Sequence, residues 1–310
     1  MSTKAIIKTI DEYAVHDGPG NRALVFLKGC NLRCGWCQNP ELHDYKQEIW
    51  FHSNKCTHCG KCVEVCPVGA IDLKKDIGRI DKDKCLGVEC SKCVEVCPVK
   101  AYEIVGFELS AEELYERVAK FKSFYDRSGG GVTLTGGDPL HLPDFSAEVL
   151  ELCQDDNIHT AIETSLYTDY KNVLKVVKHC DLVMCDIKHM NSEKHKEGTG
   201  VPNELILENL KKLNKDFKGD IVVRTALIPG YNDSEENIAN TVKFLIPLKQ
   251  VKGLDLLPFN IFPVAKYNAL GTEWDKYKDL EKQSDEYLDK LCFLVKSYGS
   301  SLRCTLGGLW

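Results

Sequence analysis

Nowhere does the chain hold the roughly 18 unbroken apolar residues that a membrane-spanning helix needs. The opening stretch from Met1 to Lys8 has no apolar core long enough for a secretory signal. An excess of basic charge is missing too. There are 40 Lys and Arg against 46 Asp and Glu, a net charge of −6. That argues against a nucleic-acid binder held by a broad basic surface. These absences predict a soluble, cytoplasmic protein with neither a membrane nor a nucleic acid as partner. The apolar fraction of 43% is ordinary, and 310 residues allow one large domain or two modest ones.

Cysteine breaks this plainness. The chain has 16, and 11 of them fall between Cys30 and Cys97 in short runs. A secreted disulfide scaffold would be shorter and more evenly cross-linked. In a cytosolic chain such clustering indicates metal, and so many thiols suggest an oxygen-poor, anaerobic setting.

The pattern divides into a main unit, residues 1–50 and 106–310, and a cysteine-dense insertion, residues 51–105. Ser110 and Glu113 form a capping-box signature ahead of a helix expected to reach about Asp126. Strands are expected near 22–29, 131–137, 158–164, 180–187, 220–228 and 253–259, with helices near 143–155 and 274–297. This β-then-α rhythm predicts an α/β fold with a parallel sheet, a partial (β/α)6 barrel. Its chemistry should sit at the C-terminal ends of the strands.

Within the insertion two runs repeat, Cys56-x2-Cys59-x2-Cys62-x3-Cys66-Pro67 and Cys85-x4-Cys90-x2-Cys93-x3-Cys97-Pro98. This is the bacterial two-cluster ferredoxin signature, in which the fourth cysteine of each run crosses to the other cluster. Cys56, Cys59, Cys62 and Cys97 would hold one [4Fe–4S] cluster, and Cys85, Cys90, Cys93 and Cys66 the other. The x4 gap after Cys85 departs from the usual x2. A pair of zinc sites is the alternative.

Upstream stands a third set, Cys30-x3-Cys34-x2-Cys37, with no fourth cysteine nearby. Three thiolates leave one iron of a [4Fe–4S] cube open to a ligand, as in catalytic metal sites generally. The alternative is a closed structural site completed by a distant thiol such as Cys153 or Cys304.

With Trp36 before its last cysteine, this set resembles the motif of the radical S-adenosylmethionine (SAM) superfamily. There SAM chelates the open iron and is reductively cleaved to a 5′-deoxyadenosyl radical. His16-Asp17-Gly18-Pro19-Gly20 with Arg22, Gly136-Gly137-Asp138-Pro139, Met184 to Asn191, and Arg224 to Asp233 are similar to segments of the glycyl-radical-enzyme activating enzymes. The activators of pyruvate formate-lyase and of anaerobic ribonucleotide reductase lack the insertion. The chain therefore resembles the three-cluster subgroup, whose partners are dehydratases, decarboxylases and lyases. The resemblance implies three [4Fe–4S] clusters and SAM as cofactors. It implies a glycyl radical enzyme as partner, engaged through its glycine loop, and an electron donor such as flavodoxin or ferredoxin.

By the same resemblance, Cys30, Cys34 and Cys37 are catalytic, and Trp36 and Gln38 lie by the adenine. Gly136 and Gly137 let backbone approach the methionyl end of SAM. Asp138, standing where the family usually has glutamate, accepts from the SAM amino group. Asp186 and Lys188, with Ile187 between them, meet the ribose and carboxylate. Arg224 ends an apolar strand and needs a partner, either that carboxylate or a nearby acid. Asn260 stands at a histidine place near the adenosine. Glu163, Thr164, the Met184 carbonyl and Asp186 would form a monovalent-cation site, and Asp17 with its glycines would meet the partner's loop. Two other readings stay open: a radical SAM enzyme acting on a small molecule or peptide, and a ferredoxin-like electron carrier.

Overall fold

The computed structural model describes residues 2–299 and 302–308; Met1 and residues 309–310, the outer ends of the expected main unit, lie outside them. Eleven strands are present among the described residues: β1 (Lys4–Ala14), β2 (Arg22–Leu27), β3 (Glu48–Phe51), β4 (Tyr102–Val105), β5 (Phe107–Ser110), β6 (Gly131–Gly136), β7 (His159–Thr164), β8 (Leu182–Asp186), β9 (Asp220–Ala226), β10 (Val251–Leu257) and β11 (Arg303–Leu306). Nine form one sheet in the order β11-β10-β9-β8-β7-β6-β2-β1-β5. From β2 to β11 every neighbouring pair in that sheet is parallel, while β1 and β5 add antiparallel strands at one edge. Six of the parallel strands are those expected from the sequence. β1, β5 and β11 were not expected: two pair antiparallel, outside the β-then-α rhythm, and β11 is only four residues long.

Because the parallel strands follow one another in chain order, right-handed crossovers place their helices on a single face. One large core joins that face to the helices. Val25, Leu134, Ile162, Val183 and Val223 on the strands meet Leu114, Val149, Val173, Leu210, Ile238 and Leu291. The intervening residues point the other way. There Ala161, Leu182, Met184 and Val222 form a separate buried cluster made only of strand residues. A sheet face buried without a covering helix must curl on itself, which is the partial barrel. Toward the strand ends this inner face turns polar, with Thr135, Glu163, Asp186 and Arg224.

Ser110 and Glu113 do make the reciprocal capping box, but the helix stops at Ala119 and a separate one covers Lys122–Ser128. The expected helix near 274–297 starts later, at Asp285, where the Ser284 side chain accepts from Tyr287 N–H. Trp274 and Tyr277 are instead buried against the loop of the first cysteines. No helix among the described residues is long and apolar enough to cross a membrane.

The segment between β3 and β4 folds around its own small core of Phe51, Cys62, Ala101 and Tyr102. β3 and β4 pair antiparallel at its base, Glu48 opposite Val105. Its two Lys-Cys-Val-Glu-Val repeats become two matching helical turns, Lys61–Val65 and Lys92–Val96.

Candidate active site

The first three cysteines occupy the loop that follows β2. Hydrogen bonds close this loop on itself, with Gly29 N–H donating to Leu42 O at 2.9 Å. Others dock it on the barrel: Arg33 N–H to Thr199 O at 2.7 Å and Gly35 N–H to Gly198 O at 3.1 Å. Trp274 Nε1 donates to Gly35 O at 2.7 Å. Trp36 is buried and packs against Tyr231 and Tyr277, ring centroids 4.8 and 6.3 Å away. Lys266, unsuspected from sequence, reaches the same loop from the helix Val264–Leu270. Its ammonium donates to Gln38 O at 3.1 Å and pairs with the fully buried Glu41 at 3.1 Å. No motif marks Lys266 or Glu41; only the approach of that helix makes them partners.

Under this loop, at the C-terminal ends of the parallel strands, lies a half-open cleft of about 220 Å³. Cys30, Cys34, Cys37, Trp36 and Gln38 line its roof, with Gly136, Gly137, Glu163, Thr164, Asp186 and Lys188 below. Thr135 and Ser165, which carried no sequence signal, line it as well. Burial pushes the Cys30 thiol up to about 12 and those of Cys34 and Cys37 up as well. Metal must therefore displace protons from them. Burial opposes the charge on Lys188, but the Asp186 carboxylate 3.1 Å away and the Cys34 thiol outweigh it, so its pKa is raised. The cleft thus combines a trio of thiols, a half-buried ammonium–carboxylate pair and backbone at two glycines. That donor set fits a cluster with an open iron and a zwitterionic, adenine-bearing ligand.

Five expected site residues sit elsewhere. Asp138 is buried, and all four lone-pair directions of its carboxylate are used. Oδ1 accepts from Leu140 N–H at 3.0 Å and Thr164 Oγ1 at 2.7 Å; Oδ2 accepts from Ser165 N–H at 2.8 Å and Ser165 Oγ at 2.6 Å. It clamps the end of β7 to the loop after β6 and has no capacity left for a SAM amino group. Arg224 does not line the cleft itself but finds its partners in nearby acids: it pairs with the cleft-lining Glu163 and, at 3.2 Å, with Asp17, and donates to His16 O at 3.0 Å. The Asn260 side chain turns back on its own loop, accepting from Phe262 N–H at 3.1 Å. The Ile187 side chain points into the helix-side core; the Met184 side chain lies in the strand-only cluster, which says nothing of its carbonyl, the donor expected from the sequence.

The expected cation donors do not converge either. Glu163 serves Arg224 and accepts from Thr135 Oγ1 at 2.5 Å, Thr164 serves Asp138, and Asp186 serves Lys188. Glu163 is pushed up to about 7 by burial, against the opposing pull of Arg224. Each of these three side chains is thus engaged by a neighbour within the protein rather than aimed at a shared position.

Gly136 and Gly137 have a reason the sequence did not supply. A Cβ on Gly136, whose φ is +112°, would lie 2.4 Å from Leu27 N; one on Gly137 would lie 2.0 Å from Gly29 O. These glycines let β6 cross the start of the cysteine loop, apart from anything they do for a ligand.

In the insertion, the crossed sets come together. Cys56, Cys59, Cys62 and Cys97 line one cavity; Cys66, Cys85, Cys90 and Cys93 line another. A 3-10 turn, Gly87–Glu89, takes up the two extra residues after Cys85. Among the described residues no three thiol, imidazole or carboxylate groups converge on a single ion position.

Family models match in the same places. The radical SAM superfamily matches residues 91–242 and a 4Fe-4S dicluster domain matches residues 55–101. The first match begins inside the insertion, which separates Cys30–Cys37 from the rest. The chain is 42% identical over 280 residues to a choline trimethylamine-lyase activating enzyme of Oleidesulfovibrio alaskensis, covering 88% of this chain and 89% of that one. It is 36% identical over 318 residues to a (2S)-3-sulfopropanediol dehydratase activating enzyme of Klebsiella oxytoca, covering 99% and 98%. It is 39% identical over 298 residues to a 4-hydroxyphenylacetate decarboxylase activating enzyme of Clostridium scatologenes, covering 94% and 95%. Among solved structures, Streptococcus suis SuiB bound to precursor peptide SuiA aligns over 94% of this chain and 49% of that one, with TM-score 0.56 and 13% identity, a likeness of fold alone. The thiol-roofed cleft, the paired thiol cavities and these end-to-end similarities lead to one conclusion: the chain belongs to the radical SAM superfamily and, within it, to the enzymes that use a [4Fe–4S] cluster and SAM to activate glycyl radical enzymes.

Proposed function

We propose that Cys30, Cys34 and Cys37 hold the SAM cluster over the cleft, and that Cys56, Cys59, Cys62 with Cys97, and Cys85, Cys90, Cys93 with Cys66, hold two further [4Fe–4S] clusters in a ferredoxin-like unit spanning residues 51–105. The convergence of the three-thiol loop with the Asp186–Lys188 pair in one cleft carries this reading. When bound, cluster and SAM supply a 5′-deoxyadenosyl radical that takes hydrogen from one glycine of the partner.

The chain's own residues bind, orient and exclude. Lys188 keeps its proton, because the Asp186 carboxylate, and the cysteine sulfurs once ionised, favour the charged form, and so presents an ammonium to the SAM carboxylate. Asp186 is placed for the ribose hydroxyls. Gly136 and Gly137 leave backbone open at the methionyl end. Trp36, backed by Tyr231 and Tyr277, walls the adenine side against water. Arg224 holds Asp17, and with it the Asp17–Gly20 turn, at the rim where the partner's glycine loop would enter. Electrons would come from a flavodoxin or ferredoxin. Relatives at 36–42% identity activate a lyase, a dehydratase and a decarboxylase. What unites such partners is the glycine to be activated, and an enzyme of one of these three kinds is the partner proposed here.

The test is a Cys34→Ala variant, anaerobically reconstituted and reduced with SAM. It should form no 5′-deoxyadenosine while still carrying the iron of the two insertion clusters. Wild-type cleavage by this variant would sink the assignment. Mixed with its partner, the unaltered enzyme should produce a glycine-centred radical signal by electron paramagnetic resonance.

A further inference from the structure

The two thiol sets of the insertion have matching backbone surroundings and unmatched side chains. His58 N–H donates to Cys56 Sγ at 3.3 Å, as Gly87 N–H donates to Cys85 Sγ at 3.4 Å. Ala101 N–H donates to Cys97 Sγ at 3.2 Å, as Ala70 N–H donates to Cys66 Sγ at 3.2 Å. Each set receives one bond of each kind, as the internal repeat requires.

The side chains break this symmetry. Arg79 Nη1 donates to Cys56 Sγ at 3.1 Å, and Tyr102 Oη donates to Cys62 Sγ at 3.4 Å. Both bonds fall on the set Cys56, Cys59, Cys62 and Cys97. Among the described residues no side chain donates to Cys66, Cys85, Cys90 or Cys93. Neither donor is a passing surface contact. The Arg79 side chain is fully buried, lies over the Phe51 ring at 4.3 Å, and is fixed by donation to Lys75 O at 2.7 Å and Leu73 O at 3.2 Å; its other nitrogen pairs with Asp76 at 3.3 Å, a carboxylate exposed enough for solvent to screen, so it offsets the buried charge only in part. Tyr102 is buried against the other side of the same small core, 5.0 Å from Phe51 by ring centroids.

Reduction adds one negative charge to a cluster and its thiolates. A buried guanidinium and a hydroxyl donor on those sulfurs stabilise the reduced form, which raises the potential. The low local dielectric strengthens both effects. We infer that Arg79 and Tyr102 hold the cluster of Cys56, Cys59, Cys62 and Cys97 at the higher reduction potential of the pair, making it the electron store of the insertion. One electron from the external protein donor takes that cube from its 2+ to its 1+ state and rests there; the twin cube is the harder to reduce. This rests on the ligand sets proposed above.

The experiment uses the full chain with Cys34→Ala as parent, so that only the insertion clusters contribute. Potentiometric titration with dithionite, followed by electron paramagnetic resonance, should resolve two one-electron steps. Tyr102→Phe removes a hydroxyl and keeps the ring; Arg79→Lys keeps the charge and loses the fork. Each should lower the upper step, with about a tenfold shift of the reduced-to-oxidised ratio at fixed potential, which is about 59 mV for one electron. The lower step should not move. Fully iron-loaded variants whose upper step stays in place, or whose lower step moves instead, overturn the inference. A parent that carries less than two cubes of iron overturns the ligand assignment itself, which iron analysis reads separately from the potentials.

Discussion

A single methyl group at Gly137 tests whether the crossing of β6 under the cysteine loop places the cluster. In Gly137→Ala the new Cβ would lie 2.0 Å from Gly29 O, where ordinary contact begins at 3.4 Å, so the backbone must part by about 1.4 Å. Gly29 directly precedes Cys30, and its carbonyl accepts Asp138 N–H at 2.8 Å. The obstacle is backbone on both sides, with no flexible side chain to give way. Overpacking of this kind costs about 1–3 kcal/mol, and losing the hydrogen bond adds about 1 kcal/mol. At about 2–4 °C per kcal/mol for a chain of this size, the melting temperature should fall by about 5–15 °C. Displacing the thiols by about 1 Å should slow 5′-deoxyadenosine formation by about 100-fold. Gly129→Ala is the control. Its φ of +69° is left-handed, but nothing lies within 4 Å of its Cβ, so it should lose about 1–2 kcal/mol and cleave SAM normally. The assays are thermal unfolding, iron content and anaerobic product formation. If Gly137→Ala matched Gly129→Ala in all three, the steric account of the cluster loop would be refuted.

Asp138 and Glu163 give two more expectations. Asp138→Asn cannot accept all four donors, so at least one buried N–H or O–H loses its partner and stability should fall by about 2–4 kcal/mol, read by urea denaturation. If Asp138 instead served only SAM, the variant would melt like wild type and lose SAM affinity alone. Glu163 is a carboxyl with its folded pKa raised to about 7 from 4.5. Over that window the native state holds a proton the unfolded chain has released, so stability should decline as pH rises from about 4.5 to 7. Glu163→Gln should flatten that slope; a variant with the wild-type slope would show that Glu163 does not titrate in this way.

Local spacing made the thiols readable. Ligands of a cluster must come from a few residues of chain, so Cys30, Cys34, Cys37 and the two runs of the insertion carry their pattern in one dimension. The crossing of Cys66 and Cys97 was read from the two-cluster ferredoxin signature, and the folded chain brings each crossed set to one cavity. The six parallel strands announced themselves by period, each being a short apolar run followed by a helix. Other features needed the folded chain. Asp138 looks like a ligand residue in a glycine-rich turn, and only the return of β7 beside it, bringing Thr164 and Ser165, turns it into a clamp. Arg224 meets Asp17 across 207 positions and Lys266 meets Glu41 across 225, pairings that no motif encodes. Why Gly136 and Gly137 are glycines follows from which backbone passes above them. The inequality of the two insertion sets lies in Arg79 and Tyr102, residues outside the repeat. Chemistry set by neighbours along the chain is written in spacing; chemistry set by neighbours across it exists only once hydrophobic burial has curled the sheet and brought the loops together.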